Sequence, residues 1–482
     1  MATEQQDGTP GGVGRRRFLT GVGLAGAGGL LAAPAAAESA PPSPRPEQFQ
    51  GGRYLLVPDV VLLPNGIARD HAVLVADGKF RDVGPAQRVV AAHPELTPVR
   101  LDGHLVMPGF VDAHHHLTQS FGKAQAFGQP SEIFKQVWEP LEHALDADTA
   151  YLATKLSALE WLRGGFTTVA DAGTRAPIDV EVLARAAEDA GIRCVLGKVC
   201  SDGKGGEQHL HRWESARLIH PSLAIPIQDD ASDAVMKKTS DLCAEAGAVF
   251  QIHVNEHLAA VERSISAFGR RPMEHLHDIG ALGPQTLAAH ATLLTPTEMR
   301  MVADAGAAIS YNPVASAWKG NAVAPATTLA AWGVRFGTGT DGTRGDGFRL
   351  VDAAETAQRL TGGLATGDSS CGAGRTWVEH ATSRSADAVG LGRVTGEIAV
   401  SKAADFLVVD LRVPELTPSW DLEWELVRLA NRNQITAVVV DGRLRLWQGW
   451  PTDWDAHALV AQAATTGREV VERAPIRRVK PD

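Results

Sequence analysis

Four short stretches carry side chains that together could hold a metal ion and activate water: PGFVDAHHHLTQS, VFQIHVNEH, TLAAHATLL and VRFGTGTDG. In the first, His114, His115 and His116 follow a Pro-Gly pair and a short apolar run. A strand sends alternate side chains to opposite faces. His114 and His116 are therefore expected on one face, sharing an ion, with His115 on the other. Neutral imidazole is the commonest protein ligand for zinc-like ions. In the second stretch His253 ends an apolar run, and His257 competes with it for the same role; His253 is favoured because it terminates the strand. Glu256 lies beyond the strand, placed to move a proton between water and a leaving group. His290 ends the third stretch. Asp341 ends the fourth, among glycines that allow close backbone approach. A single His or Asp at a strand end is more often a cap than a catalyst. The expectation rests on the set, each member at a separate strand end.

Such residues need a frame that brings strand ends together. Residues 108–393 alternate short apolar strands with helical stretches: a strand near Val111, then FTTVADAG, RCVLGKVC, SLAIPIQ, VFQIHV, TLAAHA, AAISYNP and VRFGTGTD. Eight strands alternating with helices predict an α/β fold, a (β/α)8 TIM-type barrel whose active site lies at the C-terminal ends of the strands. Residues 53–107 and 394–449 are β-branched and apolar runs broken by turns, predicting one small β-sandwich built from both chain ends. Residues 450–482 form a C-terminal extension with a helix in AHALVAQAATTGREVVERA.

The first 37 residues read as an address. Arg15, Arg16, Arg17, Phe18 and Leu19 precede a Gly- and Ala-rich apolar run, and Ala35-Ala36-Ala37 forms a small-residue cleavage site. The run is shorter than the ~20 residues that span a bilayer. The RRxFL pattern resembles twin-arginine export signals, which makes the twin-arginine machinery a partner and the destination periplasmic or extracellular. Residues 38–52 follow as a flexible Pro/Ser-rich linker. The formal net charge of −10 argues against nucleic acid, which demands a basic surface. Cys194, Cys200, Cys243 and Cys371 form no CxxC pair. Core packing is their expected role, with one disulfide left open by export.

PGFVDAHHHL resembles the HxH signature of the amidohydrolase superfamily, and HVNE, AAHATLLT, GTGTDG and GEIAVSKAADFLVVDL resemble further motifs of its chlorohydrolase and guanine deaminase-like branch. The resemblance spans nearly all of the chain after residue 37. It implies His114, His116, His253 and Asp341 as ligands of one divalent metal, zinc first and ferrous iron next. It implies Asp341 as general base, Glu256 as proton shuttle, and His290 as the group that orients water or substrate. The reaction implied is hydrolysis of a carbon–nitrogen bond other than a peptide bond, foremost deamination of an aminated N-heterocycle. Hydrolysis of a cyclic amide, urea, carbamate or ring C–Cl bond shares the same machinery and stays open. A non-catalytic binding protein would be expected to lose Glu256, His290 or Asp341, and all three are present. Members with two metals bridge them with a modified lysine, for which Lys198 at a strand end is the candidate; the HxxE glutamate favours one metal. Gln119 matches a base-contacting position of guanine deaminases, and Asn312 and Trp318 fall where relatives line the pocket. The strand-four segment SLAIPIQDD lacks the arginine with which guanine deaminases grip the purine, which argues against guanine itself. Relatives are commonly dimers, so a homodimer is expected.

Overall fold

The computed structural model describes residues 44–129, 133–368 and 372–479. The segment expected to be a twin-arginine signal and Cys371 lie outside them. Eight parallel strands form the barrel: β6 (Phe110–His115), β7 (Phe166–Asp171), β8 (Arg193–Val199), β9 (Ile219–Ile225), β10 (Val249–Val254), β11 (Thr286–His290), β12 (Ala308–Tyr311) and β13 (Arg335–Thr338), each following β1 to β5 of a second sheet. They pair in sequence order, and the Asp341 amide after β13 donates to the His114 carbonyl at 2.8 Å, bringing the last strand back to the first. The predicted strands and their order are those observed.

The second sheet joins β1 (Arg53–Leu63), β2 (Gly66–Arg69), β3 (His71–Ala76), β4 (Lys79–Pro85) and β5 (Val99–Pro108) to β14 (Phe406–Asp410), β15 (Ile435–Val440) and β16 (Arg443–Trp447). One hydrogen-bonded path links seven of these strands, with β2 branching from β1, around Leu56, Val75, Phe80, Val106, Phe406 and Val439. The two chain ends meet where β5 pairs antiparallel with β14. Arg193 at the start of β8 reaches across to this sheet, its buried guanidinium donating to Asp405 at 2.8 Å. The described end of the expected linker is not loose. Pro46–Phe49 form a 3-10 turn, and buried Phe49 packs on Tyr54 and Trp447, because an aromatic ring gains more from burial than the short turn costs in entropy.

The helices follow the capping signals of the sequence. Asp146 caps Ala147–Arg163 by accepting from the Thr149 amide, and Gly247 ends Asp233–Ala246 with φ +65°, a conformation an L side chain resists. The C-terminal helix Ala456–Arg473 buries Leu459, Ala463 and Val470 and lies against Ala147–Arg163. Cys194, Cys200 and Cys243 are buried and free.

Candidate metal-dependent active site

Alternation along β6 is interrupted where it matters. Val111 and Ala113 belong to the apolar filling of the barrel, whereas Asp112 accepts from Trp161 Nε1 at 2.5 Å on the helix side. Continued strictly, this parity would point His115 inward. A register shift between Asp112 and His115 changes it. His114 and His116 face the interior, and His115 stacks on Trp161 and bonds Ser157 at 2.8 Å. The expected division of the three histidines therefore holds, by way of a bulge.

Among the described residues, one donor atom from each of His114, His116, His253 and Asp341 converges, all within 4.8 Å of one another. The histidines are prepared as neutral ligands. Burial, with repulsion between neighbouring imidazoles, holds His114 well below the ordinary imidazole value and pushes His253 down to about 4. Burial does the same to His116, outweighing the attraction of Asp341. The Nδ1 of His253 lies 2.7 Å from the Pro226 carbonyl, which fixes the proton there and leaves Nε2 free. His114 Nδ1 and Nε2 and His116 Nδ1 are buried without a hydrogen-bond partner. Orphaned imidazole nitrogens around a buried carboxylate fit a divalent cation of the zinc type. His257 leaves the cluster and caps Leu258–Phe268 by accepting from the Ala260 amide.

Glu256, His290 and Asp341 form a second convergent group. Their backbones are unusual: Asn255, His290, Ala291 and Asp341 have φ of +52°, +72°, +49° and +54°. Left-handed backbone at non-glycine residues costs about 1–3 kcal/mol each and collects at functional sites. Surrounding bonds hold it: Thr292 Oγ1 donates to the carbonyls of Asn255 and Glu256, and Asp112 accepts from the amides of His114 and Thr340. Asn312 lies behind His290. It is buried, takes a bond from Ser310, and its Nδ2 donates to His290 Nδ1 at 3.2 Å. That bond places the imidazole proton on Nε2, which has no hydrogen-bond partner and points at Glu256 (3.8 Å) and Asp341 (3.9 Å).

The remaining sequence candidates separate. Gln119 is buried near the cluster, but its amide group donates to Glu142 at 3.2 Å; Glu142 also pairs with Arg175 at 2.9 Å. Trp318 is 40% exposed and sits edge-on to Phe127 at the mouth. Lys198 has the opposite parity to inward-facing Val195 and runs against the loop at Gly205. It stands apart from the ligand cluster, which argues against its bridging two metals there.

One residue escaped the sequence reading. Lys319 Nζ donates to Glu256 Oε1 and Asp341 Oδ2, each at 2.7 Å, with only 13% of its side chain exposed. Burial opposes ionisation of both carboxyls, but Lys319 and His290 outweigh it and hold both ionised. The only sequence signal was its place one residue after Trp318.

The site and barrel define a metal-dependent hydrolase, and the Amidohydrolase family model matches residues 105–445, so the chain belongs to the amidohydrolase family. It is an enzyme of the class acting on C–N bonds other than peptide bonds. It is 30% identical over 407 residues to a 5-methylthioadenosine/S-adenosylhomocysteine deaminase of Syntrophobacter fumaroxidans, covering 81% of this chain and 92% of that one. It is 28% identical over 432 residues to a 5'-deoxyadenosine deaminase of Methanosarcina acetivorans, covering 86% and 96%. Among solved structures, an adenosine deaminase from Xanthomonas campestris with bound zinc superposes with TM-score 0.79 at 26% identity, covering 90% of this chain and all of that one. Guanine deaminase of E. coli, at 22% identity and TM-score 0.71 over 82% and 99%, shares the fold.

Proposed function

We propose that this protein hydrolytically deaminates an adenine nucleoside or a close analogue, using one divalent metal ion, zinc foremost, held by His114, His116, His253 and Asp341. The convergence of those four donors beside Glu256 and His290 carries the reading. The similarity to deaminases of adenosine derivatives supports the substrate class.

A divalent ion bound there lowers the pKa of water towards neutrality and so supplies the nucleophile. Asp341, ionised and buried, accepts the proton that water gives up. Glu256, ionised in the free site, takes the other proton of the water and delivers it to the ring nitrogen, while the proton taken by Asp341 goes to the departing amine. His290 Nε2–H donates to the oxygen on which charge develops, and Asn312 keeps that proton in place. Water adds at the ring carbon, the C–N bond breaks, and nitrogen leaves as ammonia. Trp318 and Phe127 at the mouth offer apolar faces to a planar base. Two carboxylates already spanned by an ammonium favour an amine over chloride as the group expelled.

The test is ammonia release by zinc-loaded protein across adenosine, 5'-deoxyadenosine, 5-methylthioadenosine, S-adenosylhomocysteine, guanine and aminated triazines. Release from an adenine nucleoside that disappears in Glu256→Gln is expected. Silence across the panel from protein shown to hold its metal overturns the reading in favour of cyclic amide, carbamate or halide hydrolysis. The proposal includes export through the twin-arginine route, checked by replacing Arg15, Arg16 and Arg17 with Lys and following the protein in cell fractions. It also includes a homodimer, checked by light scattering.

A further inference from the structure

Lys319 closes the helix Pro313–Lys319, and Gly320 behind it has φ +66°. The side chain runs inward instead of extending into water. Its position divides the two oxygens of Asp341. Oδ1 lies 3.5 Å from His116 Nε2 and 3.8 Å from His114 Nε2, on the side of the imidazole cluster. Oδ2 faces Lys319 and His290. The ammonium thus leaves the metal-facing oxygen alone and lies between Asp341 and the proton shuttle Glu256. It also separates two recesses, of about 40 Å³ beside Glu256 and His253 and about 20 Å³ beside Trp318 and Phe127. Small-molecule pockets are typically about 300–1,000 Å³, so neither recess admits a nucleoside while Lys319 is seated.

We propose that Lys319 is a tethered ammonium that fills the leaving amine's seat between turnovers. It holds Glu256 and Asp341 while the site is free, and withdraws with the end of its helix before a substrate can bring its own nitrogen between the same carboxylates. Whatever displaces the ammonium must satisfy two buried anions, since leaving either unpaired is costly. An amine that gains a proton as its C–N bond breaks meets that demand. The identity of the arriving group rests on the deaminase reading above; the ammonium seat itself does not.

Two measurements on the zinc-loaded full chain test this. In Lys319→Ala, propylammonium chloride replaces the missing head group and is expected to raise the melting temperature of the variant, leaving wild type unmoved. Equal shifts in both proteins, or none in the variant, overturn the seat. In Lys319→Met, the KM for adenosine is expected to fall about tenfold if the wild-type site is open about a tenth of the time. An unchanged KM with kcat lowered about a hundredfold would place Lys319 in the proton-transfer machinery and overturn the proposal. If neither protein releases ammonia, the deaminase reading falls alone, and the propylammonium melt still decides the seat. Should Lys319→Ala fail to fold, Lys319→Gln fills the space without charge, and its KM must also fall.

Discussion

At the N-terminal end of the barrel, Val111, Ala113, Val195, Leu287 and Ala308 meet Ala386 and Leu391 in a closed apolar layer. At the other end, the same set of strands finishes in His114, His116, His253, His290 and Asp341. The first end is satisfied: small and branched side chains fill the bore, and the helix Ser383–Ala388 covers it. The second keeps imidazole nitrogens without hydrogen bonds and places His290 and Asp341 in left-handed backbone. A buried polar group left unsatisfied costs about 1–3 kcal/mol. Such a cost persists only where the rest of the fold offsets it and a ligand would relieve it. The difference separates labour along each strand: its beginning stabilises, its end reacts.

Substitutions at the two ends should therefore fail in different ways. The largest loss of activity is expected in Asp341→Asn, which removes the proposed base and metal ligand together. Its kcat should fall on the order of 10²–10⁴-fold, read as ammonia release per folded molecule. Leu287→Ala, in the apolar layer, should cost about 2–5 kcal/mol of stability in denaturant melts and leave kcat per bound zinc within about twofold. A large kcat loss there would erase the distinction between the ends. Asn312→Ala acts one step behind the reacting groups. It should lower kcat about 10–100-fold while zinc content stays at wild-type level, because His290 loses its fixed tautomer and no ligand is removed. The gentlest change is pH. His253 is held down at about 4, so the proton competes with zinc only in strong acid. Zinc content after equilibration should hold as pH falls from 7 to about 5 and drop as pH passes about 4. Loss near pH 6.5 would mean an ordinary, solvated imidazole.

The barrel and its convergent His and Asp donors were legible because strand ends are local: an apolar run that stops at His or Asp says both what it is and where it points. The division of His114, His115 and His116 was legible in outcome only. The bulge that produces it depends on how β6 pairs with β7, which a single strand does not encode. Gln119 and Asn312 were found near the site, but their partners Glu142 and His290 lie 23 and 22 residues away. Distance along the chain hides whether an amide meets substrate or another side chain. Lys319 was hidden for a related reason. A lysine before glycine at a helix end reads as a solvated terminus, and only the packed barrel brings two carboxylates within its reach. Phe49 shows the converse: its Pro-rich surroundings read as linker, while its partner Trp447 lies at the far end of the chain.

The central claim is that four donors from three separate segments make one metal centre that performs the chemistry. Zinc stoichiometry by elemental analysis, measured beside ammonia release in wild type and His253→Ala, tests it most directly. One zinc per chain in wild type, with both zinc and activity lost in the variant, is the predicted result. Two zincs per chain, or activity that survives when His253→Ala has lost its zinc, would contradict it.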